Sequence, residues 1–228
     1  MVSRLPKWVE FGAFVLSLIA GTVNAVGLLG FEHQSVSHLS GTATLLGSSF
    51  INLPLQTSFH LFGILFSFLL GSCVAGFLLH GETLRLGKHY DTTLFLEAAL
   101  LFAAIMFLSQ GSFYGHFFAS GACGLQNALA TRYSGAVIRT THVTGIFTDL
   151  GLMIGSFFRG EPLDKRKAQL FVIIIFGFIF GGVFGAWLYQ YFLFWTLIFP
   201  ASTCLLLALS YRIYLKKQIQ ASHLSKGS

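Results

Sequence analysis

The sequence predicts an all-α polytopic membrane protein, with six transmembrane helices plus two re-entrant or broken short helical segments, arranged as two inverted-topology repeats. Three observations support this prediction: an apolar composition, a motif that occurs twice, and the placement of the basic residues. Of the 228 residues, 54% are hydrophobic and 10% are charged, and the mean hydropathy is +0.74. An ordinary soluble domain carries about 25% charged residues, so the composition indicates an integral membrane protein.

Apolar runs supply the predicted helices. Six of them approach the ~20 residues that a helix needs to cross ~30 Å of hydrocarbon. These six runs cover 9–30, 58–79, 92–109, 113–130, 169–188 and 191–214. Two shorter and more polar stretches, 37–51 and 140–158, bring the number of segments to eight. We therefore expect one membrane domain over 1–228, with residues 216–228 as a cytoplasmic tail.

A motif of His, Ser/Thr and Gly occurs twice, and we call it the His–Gly motif. The first copy is Ser37-His38-Leu39-Ser40-Gly41-Thr42 and the second is Thr141-His142-Val143-Thr144-Gly145-Ile146. With one inserted residue in the second copy, eight surrounding positions are identical: Gly21/Gly124, Asn24/Asn127, Ala25/Ala128, His38/His142, Gly41/Gly145, Thr44/Thr148, Leu46/Leu150 and Gly47/Gly151. The correspondence continues between 66–78 and 176–188, which predicts two repeats, near 8–110 and 111–215.

The 14 Lys and Arg residues discriminate between two topologies. If all eight segments cross, basic residues of two short loops fall outside, against the positive-inside bias. If 37–51 and 140–158 instead enter the membrane and return, every Lys and Arg is cytoplasmic, as are both termini. The outer connections then carry no basic residue; they are 31–36, 52–57, 110–112 and 189–190. Three crossings remain in each half, and an odd number makes the repeats inverted.

The two copies of the His–Gly motif are expected to meet near the membrane midplane. Irregular backbone at that depth is tolerated only when it is buried in protein or lines a watery cavity. Ser40 and Thr144 are predicted N-caps of short helices, and Gly41 and Gly145 allow close approach. Two such helix starts would offer free N–H groups and positive dipole ends to an anion or another acceptor-rich solute.

The polar residues around both copies are the candidates for a substrate path. The two histidines would line that path, or would only hydrogen-bond the neighbouring backbone. The amides in the crossing helices would line or brace the same cavity, or would act as hydrogen bonds between helices. The full set of candidates is Asn24, His38, Ser40, Gly41, Thr44, Gln126, Asn127, Thr141, His142, Thr144, Gly145 and Thr148.

Two carboxylates break the similarity between the halves. Asp149 replaces Leu45 of the first half, and Glu97 interrupts an apolar run. An ionisable group at membrane depth is energetically costly, so both residues are candidates for proton coupling. For Glu97 the alternative is a side chain that extends to the inner membrane surface.

Other patterns exclude several classes of function. Three cysteines lie in apolar runs without a CxxC pair, which predicts small buried thiols and neither disulfides nor a zinc site. No metal or cofactor is expected, because the two motif histidines lack further ligands at metal-binding spacing. No phosphate-binding loop or nucleophile elbow is present, so we do not expect an enzyme. The net charge of +6 lies in loops beside an anionic leaflet and does not indicate a nucleic-acid partner.

The same motifs resemble those of the YoaK-like bacterial membrane family, a domain-of-unknown-function group of multi-spanning inner-membrane proteins. The resemblance covers most of the chain and rests on Gly21-xx-Asn24-Ala25, Ser40-Gly41-Thr42 through Gly47, Gly124 through Ala128, Thr141 through Gly145, and Asp149-Leu150-Gly151. Asn24 stands where the family pattern often has Asp. The resemblance implies a bacterial inner membrane and six helices, and it implies no established activity.

These patterns together predict a transporter or channel of the bacterial inner membrane for a small polar or anionic solute. Proton-coupled alternating access is the preferred mechanism, and a facilitative pore is the next. The alternative is a non-transporting membrane scaffold or lipid-interacting subunit. The expected partners are the lipid bilayer and a small solute or ion. Glycine-rich patterns at 71–76 and 181–186 predict close helix packing or the seam of a homodimer.

Overall fold

The computed structural model describes residues 8–30, 36–79, 89–134 and 139–224. Nearly all of this part of the chain is helical. The helices are α1 (Trp8–Leu29), α2 (Leu39–Asn52), α3 (Leu55–Leu78), α4 (Tyr90–Ser109), α5 (Tyr114–Ser134), α6 (Val143–Phe158), α7 (Lys165–Phe192) and α8 (Ile198–Leu224). A 3-10 helix, Leu193–Leu197, joins α7 to α8. The expected N-terminal basic segment, most of the connection 31–36, the basic loop near 80–88 and the end of the tail lie outside the described residues.

Four helical stretches are long and apolar enough to cross a membrane. They are Val9–Leu29, Leu55–Leu78, Tyr90–Ser109 and Lys165–Lys217, the last of which contains both α7 and α8. Helix α5 has 21 residues but is more polar, with His, Ser, Gln and Asn side chains. Helices α2 and α6 are apolar but shorter, with 14 and 16 residues. The prediction of a helical membrane protein is confirmed.

Both predicted N-caps and one predicted connection are wrong. Helix α2 begins at Leu39 and α6 at Val143, so Ser40 and Thr144 lie inside the first turn and are not N-caps. The connection predicted at 189–190 lies within α7, which continues to Phe192. Pro200 explains the later start of α8, because proline is tolerated in a first helical turn, where N–H groups have no intrahelical partner.

In the two most extensive helix contacts, a helix of one half packs against a helix of the other half, and we call these the exchanged helix pairs. Helix α1 packs along α7, and α3 packs along α5. The first helix of each half therefore lies against the third helix of the other half. Along α1 and α7 the contacts follow the same order on both helices: Phe14 with Gly177, Leu18 with Gly181, and Thr22 with Gly185. The two helices of this pair are therefore parallel.

Corresponding glycines make corresponding contacts in the two helix pairs. Gly21 of α1 lies against the carbonyl oxygen of Phe178 in α7, and its counterpart Gly124 of α5 lies against the carbonyl oxygen of Phe68 in α3. A Cβ atom at either glycine would overlap that oxygen, so no other residue allows this approach. Two further contacts repeat in the same way, Gly181 with Leu18 and Gly71 with Gly121. The sequence repeat is therefore also a repeat of packing.

Two buried clusters show which way each helix runs. The first core cluster includes Val9 of α1, Leu79 of α3, Tyr90 of α4, Tyr133 of α5, Leu170 of α7 and Ala208 of α8. The second core cluster includes Val26 of α1, Phe68 of α3, Leu108 of α4, Ala119 of α5, Ala201 of α8 and, at its margin, Tyr189 of α7. Helices α1, α4 and α7 thus run from the first cluster to the second, and α3, α5 and α8 run back. Helices α1 and α5, which correspond in sequence, run in opposite directions.

Candidate functional site

Each copy of the His–Gly motif forms a helix start with the same local geometry. His38 and His142 occupy the N-cap positions of α2 and α6, with φ angles of −96° and −90°, and neither side chain caps its helix. Each imidazole ring instead folds towards the glycine three residues later. A Cβ atom at Gly41 would lie 3.7 Å from His38 Cδ2, and a Cβ atom at Gly145 would overlap the ring of His142. Gly145 therefore provides space for the ring of His142, whereas a Cβ atom at Gly41 would make only an ordinary contact with His38.

The hydroxyl groups that follow are satisfied within their own helices. Thr44 Oγ1 donates to the carbonyl oxygen of Ser40, and Thr148 Oγ1 donates to that of Thr144, both at 3.0 Å. Ser40 Oγ lies 3.2 Å from His38 Nδ1. These local bonds allow hydroxyl side chains to face outward without leaving a polar group unsatisfied.

The two motif helices lie at the periphery of the bundle. Helix α2 packs against α3, and α6 packs against α7, but α2 and α6 do not form a packed pair among the described elements. Six candidate residues in the two motifs and just after them are exposed: His38, Ser40, Thr44, His142, Thr144 and Thr148. The predicted meeting of both helix starts at one central site is therefore not found, because the exchanged helix pairs fill the space between the halves.

Two polar contacts fasten the first motif helix. Ser37 Oγ donates to Asn24 Oδ1 of α1 at 2.8 Å. At the other end of α2, Ser49 Oγ lies 2.7 Å from Ser58 Oγ of α3. All three serines are buried. Both ends of α2 are therefore tied to the long apolar helices α1 and α3.

In the described part of the chain, the second motif helix lacks the corresponding contacts. Asn127 corresponds to Asn24, yet its Oδ1 atom is buried without a hydrogen-bond partner in the described part of the chain. Thr141 stands at the position of Ser37 but does not donate to this oxygen. Met153 replaces Ser49 and offers no hydroxyl. The two halves, alike in packing, therefore differ in how their motif helices are held.

A polar cleft of about 390 Å³ lies beside the second motif helix. It is bounded by α6, the connection 159–164 and the first turn of α7, and its charged residues are Asp149, Glu161, Asp164 and Lys167. Asp149 lies nine residues before Phe158, the last residue of α6, which corresponds to about 14 Å along the helix axis. The cleft therefore extends along roughly half of α6.

The three carboxylates of this cleft have different environments. Asp164 caps α7 by accepting a hydrogen bond from the backbone N–H of Lys167 at 3.0 Å. Glu161 forms an exposed ion pair with Arg159 at 2.9 Å. Asp149 is exposed and has no hydrogen-bond or ion-pair partner among the described residues. Asp149 is therefore the carboxylate of the cleft that is free to contact a solute or a proton.

Glu97 occupies a different environment, inside the bundle. Its side chain is 1% exposed and belongs to the buried stripe of α4. The alternative prediction, that it extends to the inner surface, is wrong because this stripe faces α5 and α8. The thiol of Cys204 in α8 donates a hydrogen bond to the carboxyl group. Cys123 and Cys204 are buried, as expected, whereas Cys73 is exposed on α3.

Gln126 is a structural residue of the helix interface. Its side chain is buried, and Nε2 donates to the carbonyl oxygen of Leu16 in α1. This contact supports the alternative in which an amide links helices. Among the described residues, no three His, Cys, Asp or Glu side chains lie together in a way that could hold a metal ion.

A pair of buried histidines has no counterpart in the sequence predictions. His60 of α3 and His116 of α5 have ring centroids 5.3 Å apart in an edge-on arrangement, and Phe113 and Phe117 pack against His60. The repeat comparison does not reveal them, because the corresponding positions in the other half are apolar. The available signal was a histidine within an apolar run of each helix.

The fold and its sites define a helical membrane protein with two halves that share a motif and a mode of packing. A comparison with protein families adds the name of the group. The chain belongs to the family described as protein of unknown function DUF1275, whose model matches residues 12–210. The expected YoaK-like membership is consistent with this family. No curated protein and no solved structure matches the chain significantly.

Proposed function

We propose that the protein is a transporter of the bacterial inner membrane that carries a small polar solute by proton-coupled alternating access. The main support for this proposal is that the two corresponding motif helices differ in how they are held and in what they border. The first is fastened at both ends, and the second borders an open polar cleft. Inverted repeats that take up different conformations are the usual basis of alternating access.

The proposed topology has six crossings in two inverted repeats, with α2 and α6 as re-entrant segments. The opposite directions of α1 and α5 support it, since an in-plane axis relates inverted repeats. Helix α1 ends and α3 begins at the same end of the bundle, so the segment between them returns the chain to that end. At the opposite end of the bundle α5 ends and α7 begins, so the segment that contains α6 returns the chain to that end.

The end of the bundle at the first core cluster is proposed to be cytoplasmic. Arg132 at the end of α5, Arg166 at the start of α7 and Arg212 in the last half of α8 lie at this end. At the other end, the described connections carry no Lys or Arg: they are 36–38, 53–54, 110–113 and 193–197. This distribution follows the positive-inside bias and supports a cytoplasmic position for the start of α1 and the end of α8.

The proposed cycle exchanges the states of the two motif helices. In the described state the cleft beside α6 is open, and the Ser37–Asn24 hydrogen bond holds α2 closed. In the other state, Thr141 donates to Asn127 Oδ1, and Ser37 releases Asn24. The exposed hydroxyl and imidazole groups of each motif then line the path in turn.

The charge of the cleft restricts the solute. Three carboxylates and one ammonium group line it, so an anion is repelled at this entrance. This favours a neutral polar or cationic solute over the anionic one that the helix N-termini alone suggest. Asp149, which is exposed and has no partner among the described residues, is the proposed group that exchanges protons or contacts the solute there.

A second candidate function is a membrane scaffold that binds another chain through the motif helices. Gly47 of α2 and Gly151 and Gly155 of α6 support it, because a Cβ atom at any of them would meet no atom within 4 Å. Such open small-residue surfaces suit close helix packing in a bilayer. Transport is preferred, because this face does not explain the polar cleft.

A flux assay tests the proposed function. The protein is reconstituted in liposomes, and uptake of a panel of neutral, cationic and anionic metabolites is measured with and without an imposed pH gradient. We expect saturable uptake of at least one polar solute, driven by the gradient in the wild type and lost in Asp149→Asn. The control Glu161→Gln, at an ion-paired carboxylate of the same cleft, should retain it. Absence of flux for every solute would reject transport and leave the scaffold.

A further inference from the structure

Glu97 lies where the two halves of the chain meet. It is placed on α4, the last helix of the first half, and the two helices that pack against this part of α4 belong to the second half, α5 and α8. With 1% exposure, the carboxyl group has no route to water in the described structure. The residue is therefore enclosed by an interface that any relative movement of the halves must alter.

Among the described residues, no positively charged group faces Glu97. The titratable groups that face it are Cys123 from α5 and Cys204 from α8. The 3-10 helix that also packs on α4 has the sequence Leu-Phe-Trp-Thr-Leu and carries no titratable side chain. An unpaired carboxylate in such a core is strongly disfavoured, because it loses its hydration and gains no counter-ion.

The hydrogen bonds around the carboxyl group are incomplete. The Cys204 thiol donates one bond, but Oε2 has no partner in the described part of the chain. A polar atom that is buried in a protein core normally has at least one hydrogen-bond partner. Glu97 thus has one carboxyl oxygen without a partner, two neighbouring thiols and no neighbouring cation among the described residues. These surroundings favour the protonated, neutral form of the acid.

We propose that Glu97, enclosed by Cys123 and Cys204, is a reversible proton-binding site in the core of the protein. In the described state the carboxyl group is neutral. When α4 separates from α5 and α8, water reaches the acid, the proton passes to water, and water molecules replace the Cys204 thiol as hydrogen-bond donors to the carboxylate that remains. On closure the carboxylate takes a proton back. This deepens the proposed function by adding a second, internal proton site to Asp149, and only its coupling to transport rests on that function.

Infrared spectroscopy of the protein in phosphatidylethanolamine–phosphatidylglycerol vesicles tests the site directly. At neutral pH we expect a C=O stretching band of a protonated carboxylic acid that is absent in Glu97→Gln and retained in Asp149→Asn. On transfer to D2O the band should shift to lower frequency within minutes to hours, as the site opens. Cys204→Ser keeps the hydrogen-bond donor and should shift the band without removing it, so a readout remains if Glu97→Gln does not fold.

Two results would overturn the proposal. Absence of a Glu97-dependent acid band at neutral pH would mean that the carboxylate is ionised. A band that stays unshifted in D2O for days would mean that the acid is sealed and does not exchange its proton. Neither readout requires a transported solute, so failure of this site and failure of the transport proposal are distinguishable.

Discussion

The imidazole ring of His142 lies so close over Gly145 that a Cβ atom at residue 145 would overlap it. In the first copy the corresponding Cβ atom at Gly41 would lie 3.7 Å from His38, an ordinary contact. Residues three apart are neighbours on a helix surface, which explains the spacing of His and Gly in both copies. Gly145 thus makes room for the ring of its own histidine, whereas the ring of His38 does not require a glycine at residue 41.

A double-mutant cycle at residues 142 and 145 measures this relationship. Gly145→Ala should be less favourable in the presence of His142 than in the His142→Ala background, by about 0.5–3 kcal/mol for residues in contact. The same cycle with His38→Ala and Gly41→Ala is the matched control and should show little coupling. Unfolding in detergent by heat or by sodium dodecyl sulfate provides the free energies. Equal coupling in the two copies would contradict the difference in ring position.

Gly21→Ala should destabilise the protein because its methyl group would overlap the carbonyl oxygen of Phe178. Overpacking of this kind usually costs about 1–3 kcal/mol. Gly12 lies on the same helix, and a Cβ atom there meets nothing within 4 Å. Gly12→Ala should therefore be neutral, or stabilising by up to about 1 kcal/mol through helix propensity. Thermal unfolding of the two variants side by side checks both, and a loss at both positions would count against the α1–α7 contact.

Single cysteines should report opposite faces for the two connections that follow the motif helices. In a Cys73→Ser background, Leu53→Cys and Glu161→Cys both introduce exposed thiols, and the other two cysteines are buried. We expect a membrane-impermeant maleimide to label residue 53 from the outside of intact cells, and residue 161 only after permeabilisation. Labelling of both from one face would refute the inverted topology.

Ser37→Ala should loosen the start of α2, because it removes the hydrogen bond to Asn24. A net hydrogen bond contributes about 0.5–1.5 kcal/mol, so local opening should increase about twofold to tenfold. Thr42→Cys, at a buried position in the first turn, reports the opening through its rate of alkylation in the Cys73→Ser background. Ser48→Ala removes an exposed hydroxyl that bonds only within α2 and serves as the control. An unchanged rate in Ser37→Ala would argue against a closing role for this bond.

The helical membrane class and most helix positions follow from the sequence alone, because apolar runs and hydrocarbon thickness are tightly related. The equivalence of Gly21 and Gly124 also follows from the sequence, because they stand at the same point of the repeat. In the structure each of them lies against a carbonyl oxygen of its partner helix. The caps do not follow. Ser40 and Thr144 are residue types that are preferred at N-cap positions. The N-cap positions nevertheless lie two residues earlier, at His38 and His142.

The arrangement of the candidate site could not be read from the sequence, because it depends on which helices pack together. Equivalent motifs suggested one shared centre, but the pairing of α1 with α7 and of α3 with α5 occupies that centre. The sequence makes both Glu97 and Asp149 candidates for proton coupling, with the alternative for Glu97 of a side chain that extends to the inner membrane surface. Burial among thiols and exposure in a cleft distinguish them only in three dimensions.

The exchange of helices between halves has a consequence for biosynthesis. Helix α1 is synthesised before α7, and the α7 glycines that contact it follow their α1 partners by more than 150 residues. Until then Gly21 and its neighbours face lipid or the insertion machinery. The first half cannot complete its fold on the ribosome, so a ribosome-bound chain that stops before α7 should remain sensitive to membrane quality-control proteases.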